Sequence, residues 1–238
     1  LRKTFRIEVD FSIKSSQDAS RIEKVEIIEN QKVNQPIIIS KDKPGTDYRY
    51  YEWNAGSEFT FVARDIRPQN EYRQIDIRDA VKYSEPEAYA QYEGVDVSRF
   101  YDYGGKDFNG GSDLMYFNKD YADYLDIIFR LRIQKDIPRR KFVVGSFSDW
   151  KVLPKYELVQ DYSGIYETGI ELKRGIYDYQ YVTGEIEDGK VMNQDWQILE
   201  GNFWTTENNY HIFLYYYTPE KGGYEKVIGY VKLNSGKR

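Results

Sequence analysis

One histidine, no cysteine and 39 Asp and Glu residues in a chain of 238 define what chemistry is open to it. A nucleophile triad needs the imidazole beside a serine on a sharp turn. His211 falls instead within Asn209-Tyr210-His211-Ile212-Phe213-Leu214-Tyr215, a run with strand alternation, and no Gly-x-Ser-x-Gly is present. The lack of cysteine removes thiol nucleophiles, thiolate metal sites and disulfides together, and a zinc centre lacks its His and Cys ligands. Asn234-Ser235-Gly236-Lys237 has the form of a phosphate-loop end, but Val231 stands where the leading glycine is required. Asp107-Phe108-Asn109-Gly110-Gly111 opens like a calcium loop, yet Gly111 fills the fifth position, where a side-chain ligand belongs, and Asn118 the twelfth, where a bidentate glutamate belongs. It reads as a Gly/Asn turn. Paired carboxylates for acid/base work must flank a cleft. With 31% of residues charged and a mean hydropathy of -0.75, most are solvated strand faces. The expectation is a chain that is not an enzyme, with no metal and no cofactor.

Aromatic residues are the other group that could act, at 17% of the chain. Trp150 ends the segment Gly145-Ser146-Phe147-Ser148-Asp149-Trp150, and Trp196 follows downstream. Two exposed ring faces would stack sugar rings by CH–π contact and apolar burial, with Lys151 or Lys173 hydrogen-bonding the hydroxyls. The same tryptophan can instead pack against a sheet. Both readings are open on the sequence.

The elements that must hold these residues are strands. Phe5, Ile7, Val9, Phe11 and Ile13 alternate with polar residues, as a half-buried antiparallel strand does. Val25–Ile28 and Ile37–Ile39 are further short strands, and others are expected at 48–53, 58–64 and 73–77. Residues 85–115 read as a long loop, after which Leu125, Ile127, Phe129, Leu131 and Ile133 alternate again. Beyond lie strands near 141–147, 156–160, 166–172, 176–183, 209–217 and 225–233. Lys135-Asp136-Ile137-Pro138-Arg139-Arg140 has the composition of a boundary, with a proline that cannot donate to a ladder. Many short strands with Gly and Pro punctuation indicate an all-β fold of sandwiches. The reading is two tandem antiparallel Ig-like β-sandwiches, 1–136 and 137–238.

A formal net charge of -5 and a pI near 5.2 lack the basic surface that nucleic-acid binding uses. No apolar run is long enough for a transmembrane segment. The chain starts at Leu1, as a processed product or a cut piece would, so the missing signal peptide assigns no compartment.

The stretch from Phe142 to Trp150, then Gly164-Ile165-Tyr166 and Leu172 to Tyr181, is similar to the early-Ig-like (E-set) sandwich of glycogen-binding modules, in which Trp150 and Trp196 would take the stacking positions. Those segments, with Glu200-Gly201-Asn202, Thr206-Glu207-Asn208-Asn209-Tyr210, Tyr215-Tyr216 and Ile228-Gly229-Tyr230, also resemble the C-terminal part of the type IX secretion system plug proteins. Trp53 to Phe59 and Asp123 to Ile127 resemble that family's middle part less specifically. The chain departs from the family pattern at Arg174, where Gln is usual, at Asp178, where Asn is usual, and at Glu225, where Asp is usual. The resemblance implies a fragment lacking a leading β domain. It further implies a periplasmic or outer-membrane-associated accessory that docks on the translocon barrel and seals it. The alternative on the same residues is a carbohydrate-binding module.

Overall fold

The structure is a computed structural model that describes residues 5–12, 18–42, 45–53, 58–84, 87–90, 108–115, 123–133, 135 and 137–236. Among these residues there are sixteen strands, four single-turn 3-10 helices and no α-helix. The fold is all-β. Contacts divide the chain into two compact units, Leu1–Pro68 with Phe203–Arg238, and Gln69–Asn202.

The first unit is a sandwich of two antiparallel sheets. One holds β1 (Phe5–Ser12), β5 (Glu58–Ile66) and β4 (Arg49–Trp53) in the order β1-β5-β4. The other holds β2 (Ile22–Glu29), β3 (Ile37–Ser40), β15 (Asn209–Thr218) and β16 (Tyr224–Asn234) in the order β16-β15-β2-β3. Period-two patterning sends one side of each strand inward. Ile7, Val9, Phe59 and Phe61 from the first sheet meet Val25, Ile27, Ile212 and Leu214 from the second in one core. Asn30, at φ 53, ends β2 and locks it to β15. Its amide donates to the Asn209 carbonyl (2.7 Å), its Nδ2 to Asn208 Oδ1 (2.7 Å), and its Oδ1 accepts from the Asn209 amide (2.8 Å).

The second unit carries nine linked strands, named in chain order: β6 (Arg73–Asp76), β7 (Glu87–Tyr89), β8 (Ser112–Leu114), β9 (Tyr124–Leu131), β10 (Arg140–Gly145), β11 (Glu157–Gln160), β12 (Tyr166–Lys173), β13 (Gly175–Glu187) and β14 (Lys190–Asp195). Their path is β14-β13-β10-β11-β12-β9-β7, with β6 and β8 also paired to β13. β11 turns the corner. Its first half pairs with β10 (Lys141↔Leu158, Phe142↔Glu157) and its second with β12 (Val159↔Glu167, Gln160↔Tyr166). The two layers close over Ile127, Phe129, Ile170, Val143 and the tyrosines 177, 179 and 181. A second cluster, with Phe142, Val144, Val182, Tyr72 and Trp150, covers the opposite face of β10 and β13. Covered on both sides, β13 is buried without alternation from Gly175 to Gly184.

An ion pair lies inside this unit. Arg73 and Glu200 are 2% and 1% exposed, with Arg73 Nε 3.0 Å from Glu200 Oε1. The same carboxylate oxygen accepts the Tyr181 amide at 2.7 Å, and the guanidinium stacks 5.0 Å from the Tyr181 ring centre. Desolvation alone would weaken the guanidinium's hold on its proton, but Glu200 outweighs it and the net shift is upward.

The division differs from the expected tandem of 1–136 and 137–238. β9 and β12 pair over eight positions from Tyr166↔Leu131 to Lys173↔Tyr124, so a cut at 136 would split one sheet. The physical joint is at 68/69 and 202/203. There the Gln69 amide donates to Asn202 Oδ1 (2.9 Å) and Asn70 Nδ2 to the Glu200 carbonyl (3.0 Å). Strands β7, β8 and β14 arise where none was expected. Ile13, Asp107, Asn118 and the residues 91–106 of the expected long loop lie outside the described residues.

Candidate functional site

The tryptophan expected at a sugar platform is in the core. Trp150 is 1% exposed, tilted against Tyr72 (4.8 Å between ring centres) and Trp196 (6.5 Å). Its Nε1 donates to the Gly110 carbonyl at 2.7 Å. The turn from Gly145 delivers it there. Asp149 and Trp150 both adopt positive φ, and the Trp150 amide returns to the Gly145 carbonyl at 3.1 Å. Trp196 is partly buried on the same cluster and Lys151 is exposed, while Lys173 sits at the end of β12, paired with Tyr124. Structure thus joins Trp150 to Trp196 as packing partners and leaves Trp150 no ring face for a sugar. Among the described residues, no group of three or more His, Asp or Glu is placed to hold a metal.

Much of the tyrosine content is also spent inside. Tyr177 donates to the Lys173 carbonyl (2.6 Å) and Tyr181 to the Arg130 carbonyl (2.7 Å), and burial pushes the Tyr179 phenol up to about 12.

What remains exposed and organised is the outer face of β16-β15-β2-β3. Inward-facing Tyr210, Ile212, Leu214 and Tyr216 oblige His211, Phe213, Tyr215 and Tyr217 to point outward. Cross-strand register builds rows on them: Tyr230, Phe213, Glu26 and Ile38; then Val227, Tyr215, Lys24 and Ser40; then Lys232, His211 and Ile28. Tyr230 is 55% exposed and Val227 47%. A bulge between Leu214 and Tyr215 shifts the register, so Val227 and Tyr230 share a face although three residues apart.

The centre of this face is prearranged. Phe213 and Tyr230 lie 5.1 Å apart, His211 stacks on Tyr230 at 6.0 Å and 22°, and its Nδ1 shares a 2.8 Å hydrogen bond with the Tyr230 hydroxyl. Partial burial, then Lys232, hold the imidazole below its ordinary value. Lys24 sits 4.7 Å over Tyr215, between Glu26 (3.0 Å) and Glu225 (2.9 Å), and the Glu225 bond leads in raising its pKa. The one imidazole therefore faces a phenol, with neither a serine nor a carboxylate of the described residues bonded to it. Such a face offers rigid aromatic area with a charged rim, which is contact chemistry. The alternation of 209–217 signalled half of it in the sequence. The other half required the register.

No protein-family model matches the chain, and no curated protein matches it. It is similar in structure to a hypothetical protein from Parabacteroides merdae ATCC 43184, with a TM-score of 0.66 at 16% identity. The match covers 94% of this chain and 58% of that one, so the chain spans little more than half of its neighbour's length. The likeness is one of fold. Among the described residues, no helix is long and apolar enough to cross a membrane.

Proposed function

We propose that the chain is part of a non-enzymatic protein that works by docking, with the outer face of β16-β15-β2-β3 as its contact surface. The observation that carries the reading is the outward-facing Phe213–Tyr230–His211 cluster, in which an exposed Tyr230 lies against half-buried Phe213 and His211 and is fixed by stacking and by a hydrogen bond. Aromatic anchors held rigid before binding lose little entropy when a partner covers them. The partner comes from the sequence resemblance: the outer-membrane translocon of a type IX secretion system, on whose periplasmic mouth the protein would act as a plug. An Ig-like, E-set character for the strands around Gly145 to Tyr181 belongs to the same proposal and has the same support.

The test is affinity capture by the full-length parent from its own membranes, beside a Val227→Lys/Tyr230→Lys variant. The parent should retain the large translocon barrel. The variant, altered only on an outward face, should still fold, as circular dichroism would show, and lose at least tenfold in capture. Equal capture by both, or a polysaccharide-processing enzyme in place of the barrel, overturns the reading.

A further inference from the structure

Where β11 leaves β10 to join β12, a cleft of about 440 Å³ opens, lined by Ile137, Arg139, Arg140, Lys141, Val159 and Tyr166 among others. Three consecutive cations face a single lining carboxylate, Glu157, in a chain whose net charge is -5. Arg140 Nη1 holds Glu157 at 2.9 Å, and the Arg139 guanidinium donates to the Asn193 carbonyl. Lys141 differs from both. It is 5% exposed, yet its ammonium meets only neutral groups: the Ile137 carbonyl at 2.7 Å, the Tyr166 hydroxyl at 3.3 Å and the Tyr166 ring at 4.4 Å. No carboxylate of the described residues is within ion-pair distance of it. A buried charge normally has an opposite charge beside it, because desolvation is otherwise uncompensated.

The backbone adds a second, independent feature. β10–β11 pairing stops at Lys141↔Leu158, after which Arg140 pairs only with Gly184 on its far side and Val159 only with Glu167 on its own. Two strand edges thus border the cleft without a strand partner on that side among the described residues. Val159, 69% exposed, adds an apolar wall. We propose that this cleft binds an extended acidic peptide segment, which adds main-chain hydrogen bonds at the open edges and sets a carboxylate against Lys141. Main-chain pairing would supply affinity and the cations would select acidic side chains. This site is separate from the docking face and does not depend on it.

The test titrates the whole chain with a fluorescein-labelled hexapeptide of alternating Glu and Val, its Gln-Val counterpart, and free glutarate as competitor. The acidic peptide should bind, at least tenfold tighter than the Gln peptide, and glutarate should compete only at a hundredfold higher concentration or more. Lys141→Met, which keeps the buried stem, should cost at least tenfold in affinity without lowering the melting temperature. If that variant does not fold, Arg139→Gln decides, with an expected loss of about threefold. No binding of the acidic peptide, equal binding of both peptides, or unchanged affinity in the folded variants overturns the proposal. Glutarate competing as well as the peptide does too, since the site would then be one for small carboxylates.

Discussion

Glu200 serves the interior of the nine-stranded unit twice, as the counter-charge of Arg73 and as the acceptor of the Tyr181 amide. Glu200→Ala would strip a buried guanidinium of its carboxylate counter-charge, and should destabilise by about 3–5 kcal/mol. Urea unfolding measures this, and Arg73→Met/Glu200→Leu should recover only part of the loss, because the Tyr181 amide still lacks its acceptor. The residue was legible in sequence only as part of Glu200-Gly201-Asn202, with no hint that its partner stood 127 residues upstream. A second residue-scale expectation concerns His211. Partial burial and Lys232 depress its folded pKa below the ordinary 6.5, so the unfolded chain takes up the proton first as pH falls. Its contribution is fully present above about 6.5 and is lost as pH falls through the lower folded value. Melting curves between pH 7.5 and 5 should show a larger drop for the wild type than for His211→Gln. A parallel drop in both would remove the imidazole from the account.

The joint between β10 and its turn concentrates the constraint at the scale of an element. A Cβ on Gly145 would lie 2.6 Å from the Asp178 carbonyl and 2.7 Å from the Phe147 ring, so β10 could not keep its place beside β13. Gly145→Ala should cost about 1–3 kcal/mol, as overpacking does, read as a fall in melting temperature. The strands whose faces alternate, such as β1, β9 and β15, were readable because one side is wet. The missed strands lack that signal. β7 and β8 are three residues each, and β14 buries only Val191. Half of the proposed docking face was similarly hidden, since Lys24, Glu26 and Tyr230 reach Phe213 and Tyr215 only through pairing. The bulge in β15–β16 also breaks the parity by which Val227 and Tyr230 would have been placed together. The departures Arg174 and Asp178 are structural in the same way. Arg174 ties Asp123 to the Ile77 and Tyr83 carbonyls, and Asp178 accepts from Gln74 and the Gly110 amide.

For the whole molecule, an all-β fold was legible in the sequence, and the joint differs from the one expected at 136/137. Lys135 to Arg140 has linker composition, but composition reports exposure, and the strands on either side of it belong to one sheet. The joint passes through Pro68 and Asn202, where Pro68-Gln69-Asn70 and Gly201-Asn202 look like any other turns between strands. Residues 69–202 expressed alone should fold cooperatively, whereas 137–238 alone should not, since it would carry β12 without β9 and β15 without β2. Circular dichroism and a single melting transition check both; a folded 137–238 would defeat the nested division. The Gln69–Asn202 and Asn70–Glu200 bonds that bring the two ends of this unit side by side have a mechanical meaning as well. Tension entering at Pro68 and leaving at Phe203 crosses those bonds without running through the nine strands. The unit would then hang from its neck as an unloaded bead, and its strands would begin to feel the pull only after the neck has parted.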